Sequence, residues 1–512
     1  MSKANKKTVQ PPPNVEVSKP SEKPFVDFFE ALGNNCQWIT LGLLCIMAAI
    51  VFKDFLFFDK IFLYKDIGSD SLNLSYPILS HNVRYMKEFG FNAWSFEFGM
   101  GQNAFSFSLY DPIDYLLYPL GVEKMRNLLG WKVAIELILA GFVFYHYLLA
   151  LSIKKFASIV GSLMYAFCGF MIVSSCWFIF SVEVLAMSFV LLGVEKIIQK
   201  NQWWLFSLPI AYLVLSRPFV LATLSIFLLA YCTLRYFQRD RFIWKDYLFT
   251  LGKSALAGLC GVALAASFLI EHIQIMLDSP RGSGANSLSG MLQATPMFQV
   301  VDKIQLGTAI SRMFATDILG SGIEFKGWQN ILEAPAFYCG IPALLLIPQL
   351  FLLSNKRLKI VYGIFLGFWL IPVFFPYFRY AFSFFTGDYY RSFSFYVAIV
   401  FLLLAVFGLQ EILKQNKVHV IGLASSILIL LALLFFPYFE SDVRDSTITG
   451  IVVLLMLLYA FLLFSFTKQN SKMRYAFLGV LVMELMFLSS ITINNRDVVT
   501  KSDVQEKIGY ND

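Results

Sequence analysis

The chain has 512 residues, of which 58% are hydrophobic and only 15% are charged. A soluble protein of this length has too little interior to bury so much apolar surface, whereas lipid covers such surface in a membrane protein; the composition therefore excludes a soluble globular fold. The formal net charge of +7 fits the lysine and arginine excess of cytoplasmic membrane turns, and no nucleotide or nucleic-acid motif accompanies it.

Residues 1–36 are predicted to form a disordered, basic cytoplasmic tail. The tail begins MSKANKKTVQPPPNVEVSKPSEKP, a stretch that is polar and rich in lysine and proline. The first apolar run starts late for a cleavable signal peptide, and no small-residue cleavage site follows it. We therefore expect the first span to act as an uncleaved anchor.

Apolar runs of membrane-spanning length recur through residues 37–493. They predict an all-α integral membrane protein, a polytopic helical bundle of about thirteen transmembrane helices. The runs near 168 and 189 lack a clear loop between them, as do those near 212 and 228, so each pair is either two spans or one re-entrant unit. The runs are centred near residues 47, 141, 168, 189, 212, 228, 259, 346, 368, 403, 428, 458 and 483.

The orientation of the bundle follows from the positions of lysine and arginine. A basic N-terminal tail predicts a cytoplasmic N-terminus, and with thirteen spans every second connection then lies inside. Each of these inner connections is short and basic: residues 153–155, 195–202, 235–246, 354–359, 413–417 and 467–474. The outer face receives two long loops, 59–130 and 271–335, an acidic turn at 437–450 and a short tail at 494–512.

The first outer loop contains two carboxylates in the stretch YKDIGSDSLNLSYP, namely Asp66 and Asp70. Apolar residues at helical spacing follow them from Leu72 to Phe89, which predicts an amphipathic helix on the membrane surface. Ser69 or Asp70 is well suited to cap that helix. Asp70 is therefore either a structural cap or a functional carboxylate. Further along the loop, Asp111 stands in the turn YDPIDYLLYP and has a similar structural interpretation as a cap.

Several arginines are predicted to lie at or near the outer face. Arg379 and Arg391 occur in a segment dense in aromatic residues, and Arg281 stands in the turn LDSPRGSG. Each either extends to lipid headgroups or binds a lipid phosphate through its planar guanidinium group. Arg217 lies between two apolar runs, where a charge is costly and indicates an ionic partner or a polar cavity.

The histidines and cysteines form no recognisable metal-binding pattern. His81, His146, His272 and His419 are scattered along the chain and are interpreted as structural. No CxxC pair is present, and the cysteines fall mostly within apolar runs as small hydrophobic residues. The seven are Cys36, Cys45, Cys168, Cys176, Cys232, Cys260 and Cys339.

Taken in order, these motifs resemble those of the YfhO family of bacterial membrane proteins, which is similar to the C superfamily of glycosyltransferases. The resemblance covers residues 40–500 and rests on short motifs in a common order and topology. The motifs are GSDSLNLSYP, WSFEFGMGQN (94–103), YDPIDYLLYP, LDSPRGS, YCGIPALLL (338–346) and YYRSFSFY (389–396).

The resemblance implies transfer of a sugar from a polyprenyl-phosphate carrier to an envelope polymer, such as teichoic acid, outside the bacterial cell membrane. An acceptor hydroxyl needs a base to withdraw its proton, and the departing lipid phosphate needs cationic donors. Asp70 matches the family's early acidic residue and is predicted to be the base, with inversion at the anomeric carbon. The donor phosphate is assigned to Arg391, Arg379, Arg281 and Arg217.

Asp66 and Asp111 are second candidates, for acceptor hydroxyls or for a divalent cation; no other cofactor is indicated. Two other functions remain open at this point. A transporter or flippase of a lipid-linked saccharide would carry charges near the membrane midplane and internal repeats. A non-catalytic partner in envelope assembly would need neither.

Overall fold

A computed structural model gives the fold of the chain and describes residues 28–90, 94–97, 99–103, 111–200, 202–278, 287–466 and 471–505. Within these residues the protein is mostly helical, and the strands amount to two short antiparallel pairs. The prediction of an all-α polytopic membrane protein is confirmed.

Each of the thirteen apolar runs is helical. Nine helices in the described part of the chain are long and apolar enough to cross a membrane: Gly33–Val51, Val122–Ala150, Lys155–Trp177, Pro218–Phe237, Trp244–Leu264, Lys356–Phe374, Tyr390–Gln415, Ser446–Ser465 and Lys472–Asn494. Three shorter apolar helices are Trp204–Ser216, Ile341–Leu353 and Val420–Phe435. The helix Ile179–Lys200 also has spanning length but carries more charge.

The two pairs of runs that lacked clear loops each form two separate helices. A tight break at Phe178, whose φ of 51° is left-handed, divides the helix Ile179–Lys200 from the segment before it. A second break falls at Arg217, where Pro218 follows and cannot continue the preceding helix. Both breaks leave a short, irregular backbone segment beside charged residues, and these segments help to form the candidate site.

Glycine allows the closest helix contacts in the bundle. A Cβ atom on Gly193 would lie 2.7 Å from the Leu205 carbonyl oxygen of the next helix. A Cβ atom on Gly408 would collide with the Leu346 carbonyl oxygen, where Tyr390–Gln415 packs on Ile341–Leu353. Small residues are the means by which membrane helices approach this closely, because the hydrophobic effect does not drive their association in lipid.

Smaller elements lie between and beside the apolar helices. The first outer loop contains Ser71–Ser75, a π-helical turn, then Tyr76–Phe89, Pro112–Leu117 and Tyr118–Leu120. The second contains Leu288–Gln293, Lys303–Phe314 and Gly322–Glu324, and follows Ala266–Asp278. The others are Phe28–Ala31, Gly33–Asn35, Lys53–Leu56, Ser175–Trp177, Pro376–Phe382 and Lys501–Gln505; the strand pairs are Lys60–Tyr64 with Val498–Thr500 and Trp94–Ser95 with Gln102–Asn103.

The prediction of disorder is wrong for residues 28–35, which form two short helical turns. The Phe29 ring is buried against Phe156 and Tyr475, with centroid distances of 5.3 and 5.7 Å. This aromatic contact gives the segment a fixed position that its composition does not reveal. The rest of the predicted tail, residues 1–27, lies outside the described residues.

The predicted inner turns gather at one end of the bundle. Direct contacts link them: Lys155 donates its backbone N–H to Glu30 Oε1 at 2.8 Å, and Lys154 donates to Gln410 Oε1 at 2.9 Å. Gln199 reaches the Ala150 carbonyl, and Arg357 donates to three carbonyls at residues 237–240. The described turns that were predicted to share one side of the membrane therefore do lie together, whereas residues 467–470 of the turn 467–474 lie outside the described residues.

The opposite end joins the first outer loop to the C-terminal segment. The strand Lys60–Tyr64, after the first span, pairs antiparallel with Val498–Thr500, after the last span. Asp445 donates its backbone N–H to the Ile318 carbonyl at 2.8 Å, which connects the acidic turn to the second outer loop. An odd number of crossings is required for the first and last spans to end on the same side, which agrees with thirteen.

Which end faces the cytoplasm stays a prediction, and labelling of single cysteines tests it. We expect Lys356→Cys, exposed in a basic turn, to resist a membrane-impermeant thiol reagent in intact cells until the membrane is permeabilised. Glu440→Cys, exposed at the opposite end, should react in intact cells and serves as the matched control. Both variants belong on a background without the seven native cysteines. Labelling at residue 356 from outside would overturn the orientation.

Candidate functional site

Asp70 is an exposed carboxylate directly before the helical stretch that the sequence predicted. The helix is present, and Leu79 and Val83 are buried while Leu72, Tyr76 and Met86 pack half-buried against the core. The capping interpretation is wrong in its detail, because the Asp70 side chain accepts no hydrogen bond from the helix that it precedes. Asp70 is therefore free to interact with other groups.

Asp66, four residues earlier, is fully engaged in a buried ion pair. Both of its oxygens accept hydrogen bonds from Arg496, at 2.7 Å from Nε and 2.7 Å from Nη2, and Oδ1 also accepts from the Gly68 backbone at 2.9 Å. The Asp66 and Arg496 side chains are only 3% and 2% exposed. The Arg496 guanidinium also lies 4.1 Å from the Tyr64 ring centroid. Asp66 therefore joins the two termini of the bundle and has no oxygen left for a cation.

Removing one member of this pair should destabilise the protein strongly. Asp66→Asn or Arg496→Gln leaves a buried charge without its partner, a change that costs about 3–5 kcal/mol. We expect a marked fall in apparent Tm of the detergent-purified protein for either variant. The double variant should lose less than the sum of the two, because it leaves no unpaired charge. Single variants as stable as the wild type would show that the pair contributes nothing.

Asp111 belongs to a second buried group of charges, at the base of the first outer loop. Its Oδ1 accepts from the Ile113 backbone at 3.0 Å, which confirms that it caps Pro112–Leu117. Lys132 Nζ lies 2.7 Å from Asp111 Oδ2, 2.5 Å from Asp114 Oδ1 and 3.9 Å from Glu136 Oε1. An ammonium group thus occupies the position that a divalent cation would take at Asp111.

The two aspartates of this group differ in their affinity for protons. Burial opposes ionisation of Asp111, but Lys132 and hydrogen bonds from Ile113 and Tyr212 prevail, and its pKa is lower than usual. At Asp114, burial raises the pKa to about 6 against the attraction of Lys132, and the neighbouring Asp111 charge adds to the increase. Opposite environments for two close carboxyls are a feature of proton-handling sites, but buried ion networks show it as well.

Arg217 has the ionic partner that its position between two apolar runs required. Its Nε and Nη2 lie 3.3 and 3.2 Å from Glu183 Oε2, and Nη2 also donates to Ser392 Oγ at 3.1 Å. Glu183 is 1% exposed, so it neutralises Arg217 in an apolar setting. The guanidinium lies 4.5 Å from the Phe180 ring centroid.

Arg391 lies against the same aromatic ring and has donors to spare. Its guanidinium is 4.2 Å from the Phe180 centroid and 4.0 Å from the Trp177 centroid. The nearest carboxylate oxygen is Glu333 Oε1, 3.8 Å from Nη2. Among the described residues, no group accepts a hydrogen bond from Nε or Nη1, although both atoms are buried. Unpaired donors of a buried arginine are costly, so this site is suited to a further hydrogen-bond acceptor.

The third arginine, Arg379, already donates a hydrogen bond from each of its three side-chain nitrogens. It donates to both oxygens of Asp388, at 2.7 and 3.1 Å, and to the Pro372 carbonyl at 3.0 Å. Burial alone would lower the Arg379 pKa, but Asp388 outweighs burial and raises it. Arg217 and Arg379 both line a small cavity of about 50 Å³, close to the liquid volume of two water molecules. The cavity accommodates a small polar group and is too small for a sugar ring.

Other buried polar atoms around these arginines also lack partners within the part of the chain that the structure describes. They are Trp177 Nε1, Glu183 Oε1, Tyr390 Oη and Tyr396 Oη. Native proteins leave few such atoms unpaired, so a local concentration of them marks a binding site more specifically than the charges do. We call Arg217, Arg379, Arg391 and these four side chains the arginine cluster.

The arginine cluster packs, through Trp177 and its neighbours, against the turn that directly follows Asp70. The turn Ser71–Ser75, which follows Asp70, packs on Ser175–Trp177, and Trp177 in turn stacks on Arg391. The structure thus brings together Arg217, Arg379 and Arg391, and the turn after Asp70 packs against the segment that contains Trp177. Arg281 lies outside the described residues.

An apolar groove begins one helical turn from the cluster. Thr223 lines the small cavity, and Ile226 on the same helix, Leu221–Phe237, lines the groove. The groove has a volume of about 830 Å³ and runs between that helix and Lys356–Phe374. Its walls are mostly hydrocarbon, and Lys356 and Arg357 line one end of it.

Sequence reasoning missed a buried carboxylate near the Asp66 pair. Asp317 is 4% exposed and lies in the second outer loop; burial raises its pKa to about 6 against the opposing effects of Thr492, Arg312 and Arg496. Arg312 is committed to the carbonyls of Thr316, Ile331 and Ala334. Asp317 stands within an ordinary loop sequence, and no local motif distinguishes it.

Asp317 should make stability fall as the pH rises. The folded state holds the Asp317 proton more tightly than the unfolded state, in which the pKa of the carboxyl is near 3.8. The stability that the protonated Asp317 contributes is therefore fully present below pH 4 and is lost as the pH passes about 6. The shift corresponds to about 3 kcal/mol. We expect Asp317→Asn to unfold at a similar temperature to the wild type at pH 4.5 and at a higher one at pH 8. The same Tm difference between Asp317→Asn and the wild type at pH 4.5 and at pH 8 would refute this prediction.

No group of three or more histidine, cysteine, aspartate or glutamate side chains among the described residues has the arrangement of a metal site. The possible divalent cation of the sequence analysis thus gains no support at Asp66 or Asp111. His81 Nε2 contacts Glu97 Oε2, and His419 caps the helix Val420–Phe435 by accepting a hydrogen bond at Nδ1.

The fold and the site define a polytopic membrane protein that has an exposed carboxylate and buried arginines near one end of its helical bundle and an apolar groove along two of its helices. The model of the family described as "Bacterial membrane protein YfhO" matches residues 39–510. The chain therefore belongs to the YfhO family, as its motifs predicted. A search of curated proteins gave no significant match.

Proposed function

We propose that this protein is a membrane glycosyltransferase that moves a sugar from a polyprenyl-phosphate carrier to an extracytoplasmic envelope polymer such as teichoic acid. The observation that carries the proposal is the buried Arg391 guanidinium, whose Nε and Nη1 have no acceptor among the described residues. A phosphate monoester or diester supplies the acceptors that this group lacks.

The reaction follows from the chemistry of the two ends of the site. The acceptor hydroxyl attacks the anomeric carbon, a new carbon–oxygen bond forms, and the bond from that carbon to the phosphate oxygen breaks. The hydroxyl proton passes to Asp70, and the bonding electrons leave with the lipid phosphate. Attack opposite the phosphate inverts the anomeric centre.

The arginine cluster would stabilise the charge that develops on the phosphate. Arg391 offers two donors, while Arg217 and Arg379 add positive potential and are held by Glu183 and Asp388. Guanidinium groups fixed before the reaction need no reorganisation as the charge develops, which is how such donors accelerate a reaction. The polyprenyl chain of the donor would occupy the apolar groove along Leu221–Phe237.

A transporter or flippase of a lipid-linked saccharide is the second candidate, because several charges lie among the apolar helices. Glu183 pairs with Arg217, and Glu195 pairs with Arg235 at 2.6 Å. Glu484 accepts hydrogen bonds from Tyr338, Tyr459 and the Ile341 backbone. These groups are paired and fixed, which favours a structural role for them over a transport pathway.

Reconstitution separates transferase, flippase and non-catalytic assembly partner. Purified protein in vesicles receives a synthetic short-chain polyprenyl-phosphate sugar and a soluble polyol acceptor. A transferase forms the glycosylated acceptor without any other protein. A flippase only moves the lipid-linked sugar across the bilayer, and an assembly partner does neither. Absence of product from folded protein, with donors of several sugars, would contradict the proposed function.

A further inference from the structure

We propose that the groove on the helix Tyr76–Phe89 is a binding subsite for a neutral, hydroxyl-rich saccharide segment. The proposal rests on the proposed function, because the subsite would hold a neutral saccharide portion of the acceptor polymer and not the phosphate groups of a teichoic acid. The groove has a volume of about 540 Å³. Its lining includes His81, Arg84, Tyr85, Glu88, Phe89 and Glu97.

Three rings follow one face of the helix at intervals of four residues. The His81 and Tyr85 rings are stacked with centroids 5.2 Å apart, and the Tyr85 and Phe89 rings are 5.0 Å apart. Residues at this spacing lie above one another on a helix. Phe89 is 54% exposed, so the series ends in a ring that a ligand can reach. The Phe89 ring therefore offers a surface for the apolar face of a sugar ring, while the buried His81 and Tyr85 rings support it from below.

Polar groups surround the rings in a fixed arrangement. His81 Nε2 lies 3.0 Å from Ser95 Oγ and 3.4 Å from Glu97 Oε2, which fastens the strand Trp94–Ser95 over the helix. The Glu97 side chain is nevertheless 69% exposed. Arg84 and Glu88 are exposed, and neither makes a hydrogen bond or ion pair with another described residue. Carboxylates accept from hydroxyl groups and a guanidinium donates to them, so all three are suited to a polyol.

The charge of the groove argues for a neutral ligand. Glu88 and Glu97 place two negative charges against the one positive charge of Arg84. A strongly anionic segment would be repelled by this arrangement, whereas a neutral saccharide satisfies the carboxylates through its hydroxyl groups. The combination of a few polar groups with aromatic walls is typical of ligand sites.

The position of the groove fits an acceptor. His81 follows Asp70 by eleven residues along one nearly continuous helical stretch, a rise of about 16 Å. A chain of sugars held in the groove would therefore extend along the helix towards Asp70. The groove shares no lining residue with the small cavity beside Arg217 and Arg379, so donor and acceptor would occupy different pockets.

Binding measured without donor tests the subsite independently of transfer. The full-length protein is purified in a detergent without a sugar headgroup, and saturation-transfer NMR and calorimetry follow the binding of maltotriose and chitotriose. We expect saturable binding of at least one of them. Glu88→Gln and Glu97→Gln should weaken it about tenfold, the scale of a hydrogen bond to a charged group. Lys87→Ala, on the same helix outside the groove, should leave it unchanged.

Three comparisons decide the outcome. Asp70→Asn should bind the trisaccharide like the wild type, which distinguishes failure of catalysis from failure of the subsite. Phe89→Ala should weaken binding without changing Tm, because that ring is exposed. No saturable binding of either probe, or equal binding by wild type and both glutamine variants, would overturn the subsite and leave the proposed function standing.

Discussion

Asp70→Asn should fold normally and lose sugar transfer by about a hundredfold or more, the usual scale for removing a general base. The substitution keeps the size of the side chain and removes its basicity. Asp70 is exposed and makes no capping hydrogen bond, so the change has little structure to disturb. The expected signature is an unchanged Tm with a low turnover number at saturating donor and acceptor.

The nearby Asp66 is not a suitable control for this experiment. Asp66→Asn breaks the buried pair with Arg496, so it would reduce activity through instability. Glu440→Gln is better matched, because Glu440 is an exposed carboxylate at the same end of the bundle and far along the chain from the site. Glu440→Gln should retain full activity. Normal transfer by Asp70→Asn would exclude Asp70 as the base.

Arg391→Ala should impair use of the lipid-linked donor more than Arg391→Lys. Lysine keeps a positive charge near the phosphate but loses the planar arrangement of donors, so it should retain part of the attraction. Alanine removes both. The loss should appear mainly at limiting donor, as a fall in kcat/KM of about a hundredfold for alanine, the usual order for removing one such stabilising donor.

The control for Arg391 is another arginine at the same end of the bundle. Arg444 pairs with Asp442 at 2.8 Å and takes no part in the arginine cluster, so Arg444→Ala should use donor normally. Apparent Tm is measured for every variant, because Arg391 also packs on Trp177 and Phe180. Full turnover by both Arg391 variants at limiting donor would show that Arg391 does not bind the donor phosphate.

The helical architecture was predictable because the bilayer imposes a simple rule on the sequence. A chain that crosses hydrocarbon must pair its backbone groups internally, so each long apolar run becomes a helix. The alternation of basic and mixed-charge connections then gave the two ends of the bundle. Even the uncertain pairs were resolved by local features, namely the left-handed Phe178 and the Arg217–Pro218 junction.

The candidate site was only partly predictable. Arg217, Arg379 and Arg391 stood out because arginines near apolar segments are costly, and the structure brings them together. The partner of Asp66 did not stand out, since Arg496 lies 430 residues away and its segment has no motif. Asp317 was missed for the same reason. Long-range pairing depends on tertiary packing, which periodicity and composition do not encode.

The roles of individual carboxylates also required the structure. Asp66, Asp70 and Asp111 have similar sequence settings, in turns beside predicted helices. One proves to be an ion-pair partner, one is exposed, and one is a buried helix cap next to Lys132. Side-chain geometry thus narrowed three candidates to Asp70, which is the only one of these three with an uncommitted carboxylate among the described residues.

The most direct test of the central claim follows both products of a single reaction. Purified protein is incubated with a synthetic polyprenyl-phosphate sugar of known anomeric configuration and a polyol acceptor. Released polyprenyl phosphate and glycosylated acceptor are quantified, and NMR gives the configuration of the new linkage. We expect equal amounts of the two products and an inverted anomeric centre. Release of lipid phosphate without glycosylated acceptor, or a product with retained configuration, would contradict direct transfer with Asp70 as base.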